Sequence, residues 1–250
     1  MIPLVMGVLN VTPDSFSDGG RWVDPGAAVA HGLAMVEEGA DVIDVGGEST
    51  RPGATPVEET EEKRRVRPVI EALAPHVRVS IDTRKAGVAE AGIEAGATIV
   101  NDVSAGLWPV AAAARVGWVA MHMQGDPLTM QSDPHYDDVV REVLDFVVAR
   151  ATDATRGGVE EVWIDPGFGF GKSLEHNLSL LRHLGAFVHS GFPVLSGTSR
   201  KSFLGAPVGD RLERSLATAA WAMTQGASMV RVHDVRPTVQ LARLVGTDAA

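Results

Sequence analysis

The sequence predicts an α/β fold in one domain, a TIM (β/α)8 barrel that spans residues 1–250. Three observations lead to this prediction. Short β-branched segments alternate with longer Ala-, Leu- and Glu-rich segments along the whole chain. Eight such pairs follow one another, and eight is the number of strands at which a TIM barrel closes. The strand segments are too apolar to have one solvated face, which is typical of a parallel sheet covered by helices.

The predicted strands are short apolar segments of a length typical of strands. They are residues 3–10, 41–45, 77–82, 98–102, 118–122, 162–166, 193–197 and 229–233.

The segments between the strands are predicted to be helices. The first begins at Asp24-Pro25, because proline is favoured in the first turn. The others cover Glu58 to Leu73, Ala86 to Ala95, Val110 to Val116, Tyr136 to Thr155, His176 to Leu184, Arg211 to Gln225 and Val235 to Leu244. Three helices run into the next strand through EEGADVI, EAGATIV and TQGASMV, where we expect glycine to end the helix in a left-handed conformation.

A doubly wound open sheet is the alternative fold. It would normally carry a glycine-rich phosphate-binding motif after the first strand, and this sequence has none there. No linker, low-complexity segment or charge run indicates a second domain.

Composition narrows the class of protein. The net charge is −10, from 22 Lys and Arg against 32 Asp and Glu, whereas nonspecific nucleic-acid binding needs a basic surface. No apolar run approaches the roughly 20 residues that span a membrane, and no signal-peptide pattern is visible. The chain has no Cys, which excludes thiolate nucleophiles and fits a reducing compartment. We therefore expect a cytoplasmic enzyme that has small-molecule substrates and no nucleic-acid or membrane partner.

Polar residues stand at the end of every predicted strand. In a barrel these ends face one mouth. In order they are Asn10, Asp44 with Glu48, Asp82, Asn101 with Asp102, His122, Asp165, Ser196, and Arg231 with His233. One such residue would be explained as a helix cap, but eight on one rim indicate a functional site.

The rim combines two kinds of chemistry. Acceptor and amide groups at three strand ends suit a flat heterocycle with several N–H donors; they are Asp82, Asn101 and Asp165. Cationic donors suit phosphate or carboxylate; they are Arg51, Lys201, Arg231 and His233. The segment DPGFGFGK (165–172) adds three glycines that let backbone approach a ligand and two phenylalanines for stacking. The rim therefore predicts a site for a heterocycle and an anion.

Structural roles remain the alternative for several polar residues. Glu48 is also explained as a brace of the second loop, Asp44 and Asp102 as supporting or capping groups, and Arg200 as an ordinary ion-pairing residue. The histidines outside 233, among them His122 and His189, are expected on the surface or in the core rather than as ligands.

Eight segments together resemble the dihydropteroate synthases, the folate-pathway family inhibited by sulfonamides. They are GVLNVTPDSFSDGG, DVGGESTRPGA (44–54), SIDT (80–83), NDVS (101–104), MHMQG (121–125), DPGFGFGK, GTSRKSFLG (197–205) and RVHDV (231–235). They occur in the family's order from the first strand to the last. NVTPDSFSDGG and SRKS are specific to this family, whereas SIDT and NDVS recur in other pterin-binding barrels.

The resemblance implies a reaction and a set of site residues. The family joins p-aminobenzoate to 6-hydroxymethyl-7,8-dihydropterin pyrophosphate, which releases pyrophosphate. The residues that would bind the pterin are Asp82, Asn101, Met121, Asp165 and Lys201. Those that would shape the p-aminobenzoate pocket are Phe16, Thr50, Arg51, Pro52, Phe170 and Ser202, together with Lys201. Those that would take the pyrophosphate are Asn10, Arg51, Arg231 and His233, and Asn10 would also reach a Mg²⁺ cofactor.

The catalytic residues implied by the resemblance are Asp18, Arg51, Asp82 and Lys201. Departure of pyrophosphate would leave a cation on the pterin methylene, which an anionic Asp82 or Asp18 would stabilise. The first two loops would act as lids that exclude water from this cation, with Gly19-Gly20 as the hinge of the first. A homodimer is also expected, with SLATAAWAM (215–223) as a candidate surface.

Two other functions remain as alternatives at this stage. A pterin-binding methyltransferase would share Asp82, Asn101 and Asp165 but has no use for NVTPDSF or SRKS. A pterin-binding paralogue without turnover should have lost some of the catalytic and anion-binding residues, and the sequence retains all of them.

Overall fold

Eight strands form one parallel sheet in the computed structural model, which describes residues 2–12, 24–49, 53–205, 207 and 211–246. The strands are β1 (Leu4–Asn10), β2 (Val42–Gly46), β3 (Arg78–Asp82), β4 (Ile99–Asp102), β5 (Gly117–Met121), β6 (Val162–Asp165), β7 (Leu195–Ser196) and β8 (Met229–Val232).

The sheet closes on itself. Its strand order is β6-β5-β4-β3-β2-β1-β8-β7. The seam between β6 and β7 is joined by a parallel bridge between Ile164 and Val194, and the Ile164 N–H donates to the Pro193 carbonyl at 2.9 Å. The predicted TIM barrel is confirmed. Strand β7 is shorter than the predicted 193–197, since proline has no N–H to contribute to the ladder.

Helices cover the outside of the barrel. They are α1 (Pro25–Glu37), α2 (Glu59–Leu73), α3 (Ala86–Glu94), α4 (Trp108–Ala114), α5 (Val139–Arg156), α6 (Leu174–Arg182), α7 (Leu184–Val188), α8 (Leu212–Thr224) and α9 (Val235–Val245). A 3₁₀ turn covers Ser202–Leu204. A main core cluster lies between strands and helices and includes Leu9, Ile43, Ile81 and Ile164.

Local signals in the sequence explain several helix ends. The Asp24 side chain accepts a hydrogen bond from the Gly26 N–H at 2.8 Å, and Pro25 opens α1 as predicted. The three predicted helix-stop glycines, Gly39, Gly96 and Gly226, have φ of 99°, 113° and 99°. These conformations strain any residue with a Cβ, so the prediction for these glycines is confirmed.

Other helix boundaries differ from the prediction. Helix α4 begins at Trp108 rather than Val110, because Pro109 is accommodated in its first turn. Helix α5 begins at Val139 rather than Tyr136, since the Asp138 side chain caps it by accepting from the Arg141 N–H. The single helix predicted over His176 to Leu184 is wrong: α6 ends at Arg182, and α7 starts anew after His183.

Among the described residues, none of the helices combines the length and the apolar character that crossing a bilayer requires. The single-domain organisation over residues 1–250 stays a prediction for the chain as a whole.

Candidate active site

The side chains that point into the barrel change from apolar to mostly polar over two residues, toward the C-terminal ends of the strands. Seven buried side chains fill its lower part: Met6, Val42, Ile99, Val119, Trp163, Leu195 and Met229. Alternate residues of a strand share one face, so the residues two positions later also point inward, at the C-terminal ends. They are Val8, Asp44, Asn101, Met121, Asp165, Gly197 and Arg231. Strand alternation therefore brings four of the predicted site residues into one layer.

The same alternation turns other polar strand-end residues away from the mouth. Asp102 follows inward-facing Asn101 and instead accepts hydrogen bonds from the N–H groups of Ser104, Gly106 and Leu107 before α4. Its alternative role as a capping group is supported. Ser196 follows inward-facing Leu195 and is buried. The expectation that every polar strand end contributes to one rim was therefore wrong for these two residues.

Arg231 lies between two carboxylates. Its Nε donates to Asp44 Oδ2 at 2.6 Å and its Nη2 to Asp82 Oδ2 at 2.7 Å. Asp44 Oδ2 also accepts from Asn101 Nδ2 at 2.9 Å. Burial would lower the pKa of Arg231, but Asp44 and Asp82 raise it instead. One hydrogen-bonded group thus joins a predicted anion-binding residue to two predicted pterin-binding residues.

Asp82 keeps an acceptor for a ligand. Its Oδ1 is buried and has no hydrogen-bond partner among the residues that the structure describes, as is also true of Asp44 Oδ1. Leaving such an acceptor unpaired costs about 1–3 kcal/mol. Burial raises the pKa of Asp82 to about 7, against the opposing charge of Arg231. An N–H donor placed here by a ligand would satisfy Oδ1 and favour the ionised carboxylate.

Asp165 lies on the opposite side of the same layer. Its Oδ1 accepts from the Gly167 N–H at 2.8 Å. Burial raises its pKa, while that hydrogen bond and the charges of Lys201, Arg231 and Lys172 oppose the rise. A Cβ added at Gly197 would lie 3.8 Å from Asp165 Oδ2 and 3.9 Å from Arg231 Cβ. Glycine at this position leaves room between the two side chains.

Lys201 reaches the mouth from the loop after β7. Its Nζ lies 4.0 Å from the centroid of the Phe170 ring, a cation–π contact. Its charge also acts on Asp82 and Asp165. Ser202 is exposed at the start of the 3₁₀ turn. The structure therefore brings Lys201 and Phe170 together beside the predicted pterin-binding carboxylates.

The two phenylalanines of DPGFGFGK have different surroundings. Phe168 is buried and stacks on Phe203 with ring centroids 6.2 Å apart. Phe170 is half-buried and contacts Lys201. Phe170 alone of the two lies at the mouth, so the prediction that both phenylalanines would stack on a ligand was wrong for Phe168.

His233 is held as a neutral ring. Its backbone N–H donates to Ser199 Oγ at 3.1 Å, and the same Oγ lies 3.1 Å from His233 Nδ1. Burial lowers the pKa of His233 to about 3, and the charges of Arg231 and Arg200 add to this effect. Ser199 Oγ therefore holds Nδ1, and the neutral ring carries its single N–H proton on Nδ1 or on Nε2. In the tautomer in which Nδ1 accepts from the Ser199 hydroxyl, Nε2–H is available as a hydrogen-bond donor.

Arg200 forms an ion pair rather than entering the site. Its Nε donates to Asp234 Oδ2 at 3.0 Å. It adopts φ of 57°, and its backbone N–H donates to Ser215 Oγ at 2.9 Å. This pair ties the loop that carries Lys201 to the loop that carries His233, which supports the alternative role of Arg200.

Glu48 braces the second loop. Its Oε2 accepts from the Val57 N–H at 2.7 Å and from Lys85 Nζ at 2.6 Å. Lys85 Nζ also donates to the Val57 carbonyl and to buried Glu62. One lysine therefore ties the two sides of the loop together, as the structural alternative for Glu48 predicts.

Five predicted site residues lie outside the described residues: Phe16, Asp18, Thr50, Arg51 and Pro52. The glycine pair 19–20, predicted as a hinge, also lies outside them. Asn10 is described. It is half-buried at the end of β1, where it pairs with Gly46.

Sequence reasoning missed two residues that support the site. Ser199 orients His233, and nothing but its place in GTSRKSFLG indicated this. Lys172 ends DPGFGFGK and is 3% exposed, with its Nζ surrounded by acceptors. The position of Lys172 directly after a glycine-rich turn was the sequence feature that could have indicated its supporting role.

The sequence and the fold of the chain were compared with those of known proteins, and both match one family. The profile of the family described as pterin binding enzyme matches residues 6–233. A protein of Escherichia coli K12 named dihydropteroate synthase is 48% identical over 255 residues, which cover 97% of this chain and 90% of that one.

Solved structures agree with this result. The Yersinia pestis dihydropteroate synthase in complex with a sulfonamide drug superposes with a TM-score of 0.91 at 45% identity, over 97% of this chain and 93% of that chain. The Xanthomonas albilineans dihydropteroate synthase in complex with 7,8-dihydropteroate gives a TM-score of 0.86 at 45% identity, over 97% and 92%.

Proposed function

The chain belongs to the dihydropteroate synthase family of pterin-binding enzymes, and we propose how its barrel mouth carries out the family's reaction. The enzyme condenses 6-hydroxymethyl-7,8-dihydropterin pyrophosphate with p-aminobenzoate to 7,8-dihydropteroate. A C–O bond to pyrophosphate breaks, a C–N bond to the aniline nitrogen forms, and that nitrogen releases a proton.

One observation carries the proposal. Acceptors for a heterocycle and donors for an anion are joined in a single interior layer by the contacts of Arg231 with Asp44 and Asp82. Within the described part of the chain, Asp82 Oδ1 is a buried acceptor without a partner. The pterin ring would lie in this layer, with its N–H groups on Asp82 and Asp165, its edge on Asn101 and Lys201, and its face on Met121.

The anion end of the site lies at β8 and the loop that follows it. Arg231 has a fixed charge because two carboxylates hold it. His233 would offer an Nε2–H donor in the tautomer whose Nδ1 accepts from Ser199. Together with Arg51, they would bind the pyrophosphate and stabilise the negative charge that it gains on departure.

The departure step places a positive charge on the pterin methylene. Ionised Asp82 would stabilise this cation, since a buried carboxylate interacts with it through a low local dielectric. The aniline nitrogen needs little help from a base to attack so reactive a carbon. Asp18, Phe16, Thr50, Arg51 and Pro52 would complete the p-aminobenzoate pocket with Phe170 and Ser202, and would exclude water from the cation.

We propose Mg²⁺ as a cofactor that would bind beside the pyrophosphate group of the substrate. Among the described residues, no group of three His, Asp or Glu side chains could hold a metal ion. Mg²⁺ in phosphate-transfer sites usually keeps water ligands and binds few protein groups besides the substrate phosphates. The amide oxygen of Asn10 fits such a role as a neutral oxygen ligand. When bound, the ion would neutralise charge on the leaving group.

A homodimer and a cytoplasmic location remain proposals. The predicted dimer surface, residues 215–223, is narrower than expected, because Ser215, Ala219, Ala222 and Met223 of α8 are buried against the barrel. Trp221 is 44% exposed on the same helix and supports an interface there. Light scattering that gives the mass of a monomer would contradict the dimer, and cell fractionation would test the location.

A pyrophosphate-release assay tests the function. We expect release from 6-hydroxymethyl-7,8-dihydropterin pyrophosphate that depends on both p-aminobenzoate and Mg²⁺. Turnover that does not depend on p-aminobenzoate would contradict the synthase reaction. Pterin binding without any turnover would indicate the non-catalytic paralogue instead.

A further inference from the structure

Lys172 is a buried cation that the reaction as described above does not use. Its Nζ lies 2.9 Å from His122 Nδ1, 2.9 Å from the Phe170 carbonyl and 3.0 Å from the Gly167 carbonyl. The His122 carbonyl is 3.3 Å away. Three N–H donors thus serve four acceptors, and three of these acceptors are backbone carbonyls. The ammonium group is therefore enclosed by acceptors from the glycine-rich loop and from His122.

In the glycine-rich loop, residues 165–172, the backbone conformation points the carbonyls of Gly167 and Phe170 at this ammonium group. Gly167, Gly169 and Gly171 have φ of 67°, 82° and 61°, conformations that side chains disfavour. A Cβ at Gly167 would collide with the His122 carbonyl, and one at Gly171 with the Gln124 carbonyl. The backbone of the loop therefore packs directly against the segment that follows β5.

The outer side of the same loop presents site residues. The Gly167 N–H orients Asp165 through the 2.8 Å hydrogen bond to Oδ1. Phe170 carries the ring on which Lys201 Nζ rests. Lys172 thus bonds the carbonyls of two loop residues, one of which contacts Asp165 through its N–H and the other Lys201 through its ring.

Within the described residues, the charged and titratable groups that act on Lys172 come from β5, β6 and the loop after β7. His122 and Asp165 face it from the ends of β5 and β6, Lys201 faces it from the loop after β7, and the Tyr136 hydroxyl donates to the nearby Gly171 carbonyl. Burial lowers the pKa of His122 to about 3, so its neutral ring accepts at Nδ1. Burial lowers the pKa of Lys172 to about 7, while Asp165 favours the charged form.

We propose that Lys172 is a positioning residue for the pterin, which fixes the glycine-rich loop through its carbonyls and supports the ionised form of Asp165 from behind. This proposal rests on the proposed function. A pterin whose N–H groups donate to Asp165 favours the ionised carboxylate, and the ionised carboxylate in turn favours charged Lys172. Pterin binding and the protonation of Lys172 are therefore linked.

The test is direct binding of 6-hydroxymethyl-7,8-dihydropterin, measured by calorimetry without p-aminobenzoate or pyrophosphate. Lys172→Met keeps the unbranched side chain as far as Cε and removes the ammonium group with its charge. At pH 6 we expect this variant to bind the pterin about tenfold more weakly than the wild type, the equivalent of one pKa unit of linkage. The affinity ratio should shrink as pH rises through 7 to 9, because wild-type Lys172 then loses its charge as well.

The comparison at each pH cancels the titration of Asp82 and of the ligand itself. Lys63→Met is the matched control, because Lys63 is a surface residue that pairs with Glu59 on its own helix. It should bind the pterin as the wild type does at every pH. A Lys172→Met ratio that stays constant with pH would show a merely structural role and overturn the proposal, as would a ratio of one throughout.

Two further measurements separate a failure of this proposal from a folding defect of the variant and from a failure of the proposed function. If Lys172→Met does not fold, the ¹³Cε resonance of Lys172 in the wild type decides: its pKa should rise when the pterin binds, and an unchanged pKa would overturn the proposal. If the wild type does not bind the pterin at all, the proposed function itself fails.

Discussion

Arg231 and Asp82 form an ion pair inside the barrel, with Nη2 and Oδ2 2.7 Å apart. The pair comes from β8 and β3, 149 residues apart in the chain. It places the expected anion site beside an acceptor available to a ligand, since none of the described residues donates a hydrogen bond to Asp82 Oδ1.

Asp82→Asn should abolish most of the activity while leaving the protein folded. The amide keeps the shape of the carboxylate but cannot stabilise a cation, so we expect kcat/KM to fall by at least about a hundredfold. Steady-state pyrophosphate release measures this, and urea unfolding checks the fold. His189→Ala is the control, because His189 is exposed beside α7, and its activity should be that of the wild type. An active Asp82→Asn enzyme would refute the role of Asp82.

Stability should fall in mild acid because the half-buried ring of His233 is neutral in the folded protein. Its folded-state pKa of about 3 lies below the unfolded value near 6.5, so the unfolded chain binds the proton first as pH falls. The contribution is fully present above about pH 6.5 and is lost toward pH 3, by up to about 1.4 kcal/mol per pH unit.

Urea unfolding between pH 5 and 7 measures this loss. His233→Gln should show a shallower decline in the free energy of unfolding than the wild type, whereas His189→Ala should keep the wild-type slope. Equal slopes for His233→Gln and the wild type would mean that His233 is protonated in the folded protein.

Gly167→Ala should cost more stability than Gly158→Ala. Both glycines have positive φ, 67° and 98°. A Cβ at Gly158 meets no atom of the described residues within 4 Å, whereas one at Gly167 collides with the His122 carbonyl. We expect about 1 kcal/mol for Gly158→Ala from backbone strain alone and more than about 2 kcal/mol for Gly167→Ala.

Only Gly167→Ala should also weaken pterin binding, because the Gly167 N–H orients Asp165. Denaturant midpoints and calorimetry together separate the two effects. Similar losses of stability in both variants would show that the close approach of the loop to His122 is absent.

Lys85→Met should destabilise the protein strongly. It would leave Glu48 and Glu62 without the cation that they share, and their side chains are 6% and 1% exposed. Breaking such a buried pair costs about 3–5 kcal/mol. Lys63→Met is again the control, since its pair with Glu59 is exposed and surface pairs contribute less than about 1 kcal/mol. A loss of stability in Lys85→Met no larger than in the control would contradict the brace.

The sequence predicted the barrel because its period and its apolar strands are local properties. It also predicted the glycines that end three helices, since positive φ is a requirement of the backbone alone. It misplaced the starts of α4 and α5, which depend on Pro109 in the first turn and on the Asp138 cap, and it missed the break at His183. Tyr136 does not open α5, and its hydroxyl donates to the Gly171 carbonyl instead.

The sequence by itself determined which residue types stand at the strand ends, and through the family resemblance it determined the reaction. Tertiary structure alone decided which of those residues face the barrel mouth and which cap or support the backbone. Inward and outward faces alternate along each strand, so Asn101 enters the mouth while its neighbour Asp102 caps the backbone before α4. Contacts between distant strands then made Arg231 the link between Asp44 and Asp82, and the burial that accompanies such contacts set the protonation of His233 and Lys172. Burial and charge proximity depend on the closed barrel, and no local pattern in the sequence carries them.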